Sequence, residues 1–552
     1  MKTKTYVFIL LLISIIINEI HCFKCGTDKL KLKFKKINTT EIGNKRRLVK
    51  EFTPIKIGVD YNSFIRPSSL SMTNFENIKY IIEDTIKEFQ RFLKVQHEDI
   101  DITFLKNFII ESCDLNSIGN GYRNYLIDND VIIFPIFDNS LGSEAIAAAS
   151  ACLIANNYRP IAGVLYLNPE LSFDIKNTKT FMKNTLLHEM THILIFNPNL
   201  LQLLNMITKK NSVSYVHSTN VVSKARQHFN CPSITGVPLE NQGGVGSAGS
   251  HWEARYILGD YMISTDYIDV VLSDISIALF EDSGFYEVEY YSGGLFKYGK
   301  NKGCDFINKK CLVNANPLFE DEFCNTPQKP MCSPSRTFKA ECAIYQYKSN
   351  IPSQFQYFSN PTYGGFSPVD YCPVAMSGPS EKDYYPSSCK IGSSTLTSEY
   401  GEIIGDNSFC FISSLLPSTS RKEDSSQAIC YQVECDENKK KIIVHVGSST
   451  ITCPTNGGNV INPKGFKGVL NCPKYIDICG FEGNIICNEM FDCLKKKVKT
   501  KTNTNTESDS NTYDSGDDDF IIIHQTNSSV LIKNSFFYYI LLYSLIFFNH
   551  LL

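Results

Sequence analysis

Apolar and polar positions change period along this chain, and each change marks a different kind of element. Residues 54–61 alternate as a strand does, with Ile55, Ile57 and Val59 on one side. Over residues 74–95 the spacing becomes helical and gathers Phe75, Ile78, Ile81, Ile82, Ile86, Phe89 and Phe92 onto one face. Residues 131–136 form a short unbroken apolar run, which predicts a buried strand. Residues 145–155 are small and apolar, and residues 161–169 read as a strand ending in a turn at Asn168-Pro169. Residues 179–195 are apolar nearly all round, so they predict a helix buried beneath other elements. Strand, helix, strand, strand and buried helix together describe an α+β subdomain.

The ends depart from this pattern. Residues 1–22 have a basic start, an apolar run over residues 6–17 and a polar close at Cys22, the layout of a secretory signal, and the run is shorter than a membrane span needs. Residues 23–50 are rich in lysine and read either as a solvated linker or as a short propeptide. Cys25 gives the propeptide reading a mechanism, because a thiolate is a good fourth zinc ligand and could block a metal until removed. At the other end, residues 496–529 form a polar stalk and residues 530–552 a hydrophobic tail. Small residues at Asn527-Ser528-Ser529 before that tail resemble a GPI-attachment signal with Asn527 as the lipid site; the alternative is a terminal transmembrane segment. Either tail tethers the chain to a membrane on the extracellular side. The glycosylation sequons begin at Asn38 and Asn527.

With 552 residues, 43% hydrophobic and 20% charged, the chain has material for two to four folded domains or subdomains. A net charge of -3 implies no basic face for nucleic acid. Of 20 cysteines, Cys22 and Cys25 lie at the amino end, and the other 18 run from Cys113 to Cys493, enough for nine bridges. Fifteen of those fall at or after Cys304, so the carboxyl-terminal third is expected to be a loop-rich module held by disulfides, in an oxidising compartment. Nothing in the pattern sets an oligomeric state.

The buried helix carries the chemistry, in Leu186-Leu187-His188-Glu189-Met190-Thr191-His192-Ile193-Leu194. His188 and His192, four residues apart, project from one helical face, where two imidazoles can hold one zinc ion with Glu189 beside them. Composition alone would produce such a motif in only about one sequence in a hundred, against the plain alternative of two buried core histidines. A catalytic zinc keeps three protein ligands and leaves one position open, so a further ligand is required. Among the histidines that follow, His217, His228 and His251 are the candidates.

The stretch from Ala225-Arg226-Gln227-His228-Phe229-Asn230-Cys231 through Leu239-Glu240-Asn241-Gln242-Gly243-Gly244 and Ser250-His251-Trp252-Glu253 to Met262 resembles the leishmanolysin family of zinc metalloendopeptidases. So do Cys453-Pro454-Thr455-Asn456-Gly457-Gly458 and Gly465-Phe466-Lys467-Gly468-Val469-Leu470-Asn471-Cys472-Pro473, and, more faintly, Cys25-Gly26-Thr27-Asp28. The resemblance implies a metzincin-like catalytic domain with a long insertion before the third zinc ligand, followed by a disulfide-rich carboxyl-terminal domain. It makes His251 the third ligand, puts Trp252 beside the metal, makes Met262 the methionine of a Met-turn, and casts Cys25 as an inhibitory thiol. It divides the folded chain into a first catalytic subdomain (51–196), a central subdomain with the third ligand (197–300) and a cysteine-rich domain (301–495). Protein or peptide substrates are implied, with Glu189 accepting the proton of the attacking water.

Two positions depart from the pattern. Ile195 stands where metzincins usually have a glycine in a left-handed conformation, which would strain a β-branched residue; either the helix ends later, near Asn197, or the site is distorted and weakened. Asp260 stands where the family usually has glutamate, a minor change. Ile195 and the large disulfide module motivate the rival reading, an inactive surface adhesion or binding protein.

Overall fold

A computed structural model describes residues 35–36, 51–97, 106–122, 128–141, 145–169, 175–242, 248–265, 267, 269–290, 296–377, 387–390 and 398–479. All of these lie in one compact unit within residues 1–497; a second unit, residues 498–552, is outside them. Cys25, Asn527, the signal, the stalk and the tail are therefore also outside the described residues.

The first half is built on a mixed five-stranded sheet. Its strands are β1 (Lys35–Lys36), β2 (Ile57–Val59), β3 (Val131–Phe137), β4 (Ala147–Ile154) and β5 (Pro160–Leu167), in the order β1-β4-β5-β3-β2. β2, β3 and β5 run parallel, with Ile132 opposite Ala162, whereas β4 is antiparallel to β5, with Ala147 opposite Leu167. The unbroken apolar runs have a simple cause: both faces of the sheet are covered. Ile133, Ala147, Ala149, Leu165 and Leu167 join the main core on one face. Ile132, Phe134, Ala148, Ala162 and Val164 join a second cluster with Ile109, Cys113 and Ile118 on the other.

Two helices occupy the main-core face. α1 (Met72–Phe92) is capped by Ser71, whose hydroxyl accepts from the Asn74 amide, and it buries its Phe and Ile stripe. α2 (Ile175–Leu194) carries the histidine motif. It approaches β5 at Gly163, where a Cβ would lie 2.4 Å from Cγ2 of Ile193, so only glycine admits the helix this closely. Lys183 fixes α2 against α1 through Glu88 at 2.6 Å and Asp84 at 3.0 Å.

Two predicted elements divide. The helical pattern of residues 74–95 ends at Phe92, and Leu93–Val95 becomes a strand paired with Tyr286–Val288, because Leu93 and Val95 alternate inward around Lys94. The strand pattern of residues 54–61 splits into Thr53–Pro54, which pairs with Leu93–Val95, and β2, which joins the main sheet.

After α3 (Pro198–Leu203), α4 (Thr219–Phe229), α5 (Ala254–Ile257) and α6 (Asp274–Asp282), the chain enters the cysteine-rich region. Much of residues 304–377 is loop, but residues 408–472 add a six-stranded sheet with its own core, including Phe411, Ile429, Tyr431, Val444 and Leu470. Its alternation is plain in Lys441–Val446, where Ile442, Val444 and Val446 are buried. Among the described residues eight disulfides join Cys113–Cys152, Cys231–Cys304, Cys311–Cys372, Cys324–Cys342, Cys332–Cys410, Cys389–Cys430, Cys435–Cys479 and Cys453–Cys472. Cys487 and Cys493 lie outside the described residues. Among the described residues no helix is long and apolar enough to cross a membrane.

Candidate metal centre

One turn apart on α2, His188 and His192 bring their Nε2 atoms to 3.1 Å, and Nε2 of His251 lies 3.2 Å from each. Among the described residues this is the one group of three side chains placed to share a metal ion. His217 is exposed, and His228 donates from Nε2 to the Tyr298 carbonyl (2.9 Å) while stacking on Phe296, so neither joins the cluster.

The far side of each ring explains why the near sides converge. Nδ1 of His188 faces the Tyr261 carbonyl at 2.6 Å and Nδ1 of His192 faces the Phe196 carbonyl at 2.7 Å. A carbonyl only accepts, so both Nδ1 atoms carry the proton and both Nε2 atoms present a lone pair. Nδ1 of His251 pairs with the Ser250 hydroxyl at 2.9 Å, which lets it do the same. Three lone pairs held 3.1–3.2 Å apart repel one another unless a cation sits among them. Nitrogen ligands about 2.0–2.1 Å from a tetrahedral zinc are about 3.3 Å apart, close to the observed edges. Burial reinforces the fit, pushing His188 down to about 4 and His192 well below its ordinary value, so both stay in the neutral, metal-binding form.

His251 is positioned by main chain on both sides. Its carbonyl accepts from the Glu240 amide at 2.9 Å, and the next amide, of Trp252, donates to the Met262 carbonyl at 3.0 Å. Trp252 is fully buried, sets its ring edge-on to Phe196 and donates its indole N–H to Ser276 Oγ at 2.8 Å. Ser276 in turn donates to Asp260, whose Oδ1 also accepts from the Met262 amide at 2.7 Å. Asp260 is thus the residue that closes the turn before Met262. Its short side chain reaches the amide two residues on, a role the sequence reading treated as minor. Burial raises its pKa to about 6. Gly259 opens the turn at φ +92°, and a Cβ there would meet the Asp269 carbonyl at 2.9 Å.

Met262 is fully buried next to this turn, and Glu189 is 1% exposed on α2. Tyr261, unremarked in the sequence, makes two contacts with α2: its carbonyl to His188 and its hydroxyl to Thr191 Oγ1 at 2.9 Å. Only the polar Thr191 within an apolar helix signalled such a partner.

The strain expected at Ile195 is absent. α2 ends at Leu194, the amides of Ile195 and Phe196 both donate to the Thr191 carbonyl at 2.9 Å, and no residue from 194 to 197 has positive φ. Asn197 then caps α3. The turn therefore needs no glycine, and it delivers the Phe196 carbonyl to His192.

Near His251 in the chain lie the buried carboxyl groups of Glu240 and Glu253, and beyond Gln242 the half-buried Asp370. Burial raises Glu240 to about 7, Glu253 well above its ordinary value and Asp370 to about 6. Asn241 donates to Glu253 at 2.8 Å and Gln242 to Asp370 at 2.5 Å, so this loop is tied to the cysteine-rich region.

A family model described as leishmanolysin matches residues 76–486. Over 372 residues the chain is 27% identical to leishmanolysin of Leishmania tropica, covering 64% of this chain and 55% of that protein. Over 426 residues it is 26% identical to a leishmanolysin homolog of Crithidia fasciculata, covering 73% and 63%. Over 448 residues it is 26% identical to a leishmanolysin-like peptidase of Caenorhabditis briggsae, covering 66% and 67%. The chain spans less than two thirds of the length of the first two relatives.

Proposed function

The chain belongs to the leishmanolysin family, and from that premise we propose that it is a zinc-dependent endopeptidase acting on protein substrates at the cell surface. The observation that carries this reading is the convergence of three imidazole Nε2 atoms at 3.1–3.2 Å. His188, His192 and His251 would hold one zinc ion, and Met262 would form the apolar floor of a metzincin Met-turn. Bound there, zinc supplies a Lewis acid that polarises the scissile carbonyl and makes water acidic enough to attack near neutral pH.

The remaining chemistry belongs to the chain. Glu189 accepts the proton of the attacking water and passes it to the leaving amine. Tyr261 and Phe196 hold the His188 and His192 rings through their carbonyls, so the two Nε2 lone pairs stay aimed inward. Trp252 and Ser276 keep His251 and the turn at Met262 in fixed relation. Under the same reading residues 51–196 and 197–300 form the two catalytic subdomains and residues 301–495 the cysteine-rich domain. Cys25 would restrain the enzyme before processing, and the tail, with Asn527 as its lipid site, would tether it to the membrane. With Ile195 unstrained, the inactive adhesion protein loses one of its two motives, and the disulfide module alone does not favour it.

Cleavage of an unfolded protein such as casein by the processed ectodomain tests the proposal. Turnover should vanish with a zinc chelator and in Glu189→Ala, while Glu189→Ala retains zinc and His251→Ala loses it. Turnover that persists in Glu189→Ala would refute the role given to Glu189.

A further inference from the structure

Apart from the histidine centre, a cavity of about 380 Å³ lies where residues 297–302, residues 320–336 and the sheet and turn around residues 412–477 meet. Six cationic side chains line it: Lys297, Lys300, Lys302, Lys329, Arg336 and Lys474. Four carboxylates share the lining, but most are engaged. Lys302 holds Asp321 at 2.7 Å and Glu322 at 3.4 Å, Asp477 accepts the Lys474 amide at 3.0 Å, and Glu320 is exposed. Among the described residues, Lys300, Lys329, Arg336 and Lys474 have no carboxylate within ion-pair distance. Six cations thus face four carboxylates, so positive charge is in excess in the recess, and burial together with Lys300 pushes the Lys297 ammonium down to about 8.

The walls are fixed. The Cys332–Cys410 bridge closes one side. Arg336 sits at φ +61°, an unfavourable conformation for a long side chain. It is held by its Nη1 donating to the Cys410 carbonyl at 3.2 Å and its carbonyl accepting from the Cys410 amide at 2.7 Å. Residues kept in such conformations by their surroundings concentrate at ligand sites. A guanidinium fork beside several ammonium groups suits a tetrahedral oxyanion. The volume is at the lower end of small-ligand pockets, about 300–1,000 Å³, and Ile476, 56% exposed, gives the rim an apolar edge.

We propose that this recess binds an oxyanion ester, a phosphate or sulfate carried on a sugar-sized body. Calorimetric titration of the intact chain with glucose 6-phosphate, N-acetylglucosamine 6-sulfate, glucose and inorganic phosphate tests it. At least one ester should bind saturably and more weakly as salt rises, glucose should not bind, and the ester that binds more tightly identifies the natural anion as phosphate or sulfate. Lys300→Ala with Lys329→Ala should weaken that binding at least about tenfold, with an unchanged unfolding midpoint in the absence of ligand. Lys300→Gln alone, expected to weaken it several-fold, reads the same charge if the double variant does not fold. Failure of both esters to bind, equal affinity for inorganic phosphate, or undiminished affinity in the folded variants would overturn the proposal.

Discussion

Tyr261 and His188, 73 residues apart, are joined by a 2.6 Å contact from the carbonyl of one to the ring Nδ1 of the other, and the Tyr261 hydroxyl reaches Thr191 on the same helix. The turn before Met262 and the helix bearing two of the three histidines are thereby locked at two points. Only the first contact is made by main chain and survives substitution. Tyr261→Phe should retain the fold, lose about 1 kcal/mol of stability, and bind zinc several-fold more weakly as the helix gains freedom. Thr191→Val should do the same, and the double variant should cost little more than either single one. Fully additive losses in chelator competition would show that the two hydroxyls do not act as a pair.

Gly163 and Ile193 give a second prediction. A Cβ at residue 163 would lie 2.4 Å from a buried side chain of α2, so Gly163→Ala should destabilise the chain by about 1–3 kcal/mol. In an Ile193→Ala background, which lacks the Cγ1, Cγ2 and Cδ1 atoms that the new Cβ would meet, the same substitution should cost less in denaturant unfolding. An equal cost would mean that the helix is displaced as a whole.

Ile195→Gly reverses what the sequence suggests. Because Ile195 is fully buried and has negative φ, glycine there removes packing and gains no conformational relief. The variant should lose about 2–5 kcal/mol of stability with no gain in turnover. A more active variant would restore the idea of a strained site.

Glu322 sets a pH dependence. Burial holds its proton up to about 7 in the folded chain, whereas the unfolded chain releases it near 4.5. Between those values the native state binds more protons, so this group makes stability fall as pH rises. Glu322→Gln should flatten that slope and gain on the parent protein by up to about 3 kcal/mol above pH 7, read from denaturation midpoints across the range. Parallel curves for the two proteins would assign the slope to other groups.

The reading of the sequence succeeds where information is local. A four-residue spacing suffices to put His188 and His192 on one face, and unbroken apolar runs suffice for β3 and β5. His251 came from resemblance to a family, because its position depends on main-chain pairing with Glu240 and Met262 that no spacing encodes. Tyr261 was invisible because its contact with His188 uses a carbonyl, which every residue has. The end of α1 was misplaced because Leu93 and Val95 satisfy a helical stripe and a strand equally well until Tyr286–Val288 is at hand. At Ile195 the sequence leaves a strained turn and a later helix end near Asn197 both open, because the conformation is set by how Phe196 and Asn197 turn the chain, and the helix ends at Leu194 without strain.

The bridges also impose an order on synthesis. Cys113 and Cys152, 39 residues apart, can join while the rest of the chain is still being made. Cys231 must wait for Cys304, 73 residues on, and Cys332 must wait past Cys342 and Cys372 for Cys410, 78 residues on. Because Cys311–Cys372 and Cys332–Cys410 interleave, closing each thiol with the next to emerge would produce the wrong set. The emerging half that carries the histidines therefore leaves the ribosome with an unspent thiol at Cys231, and a compartment able to reshuffle disulfides is a requirement of its maturation.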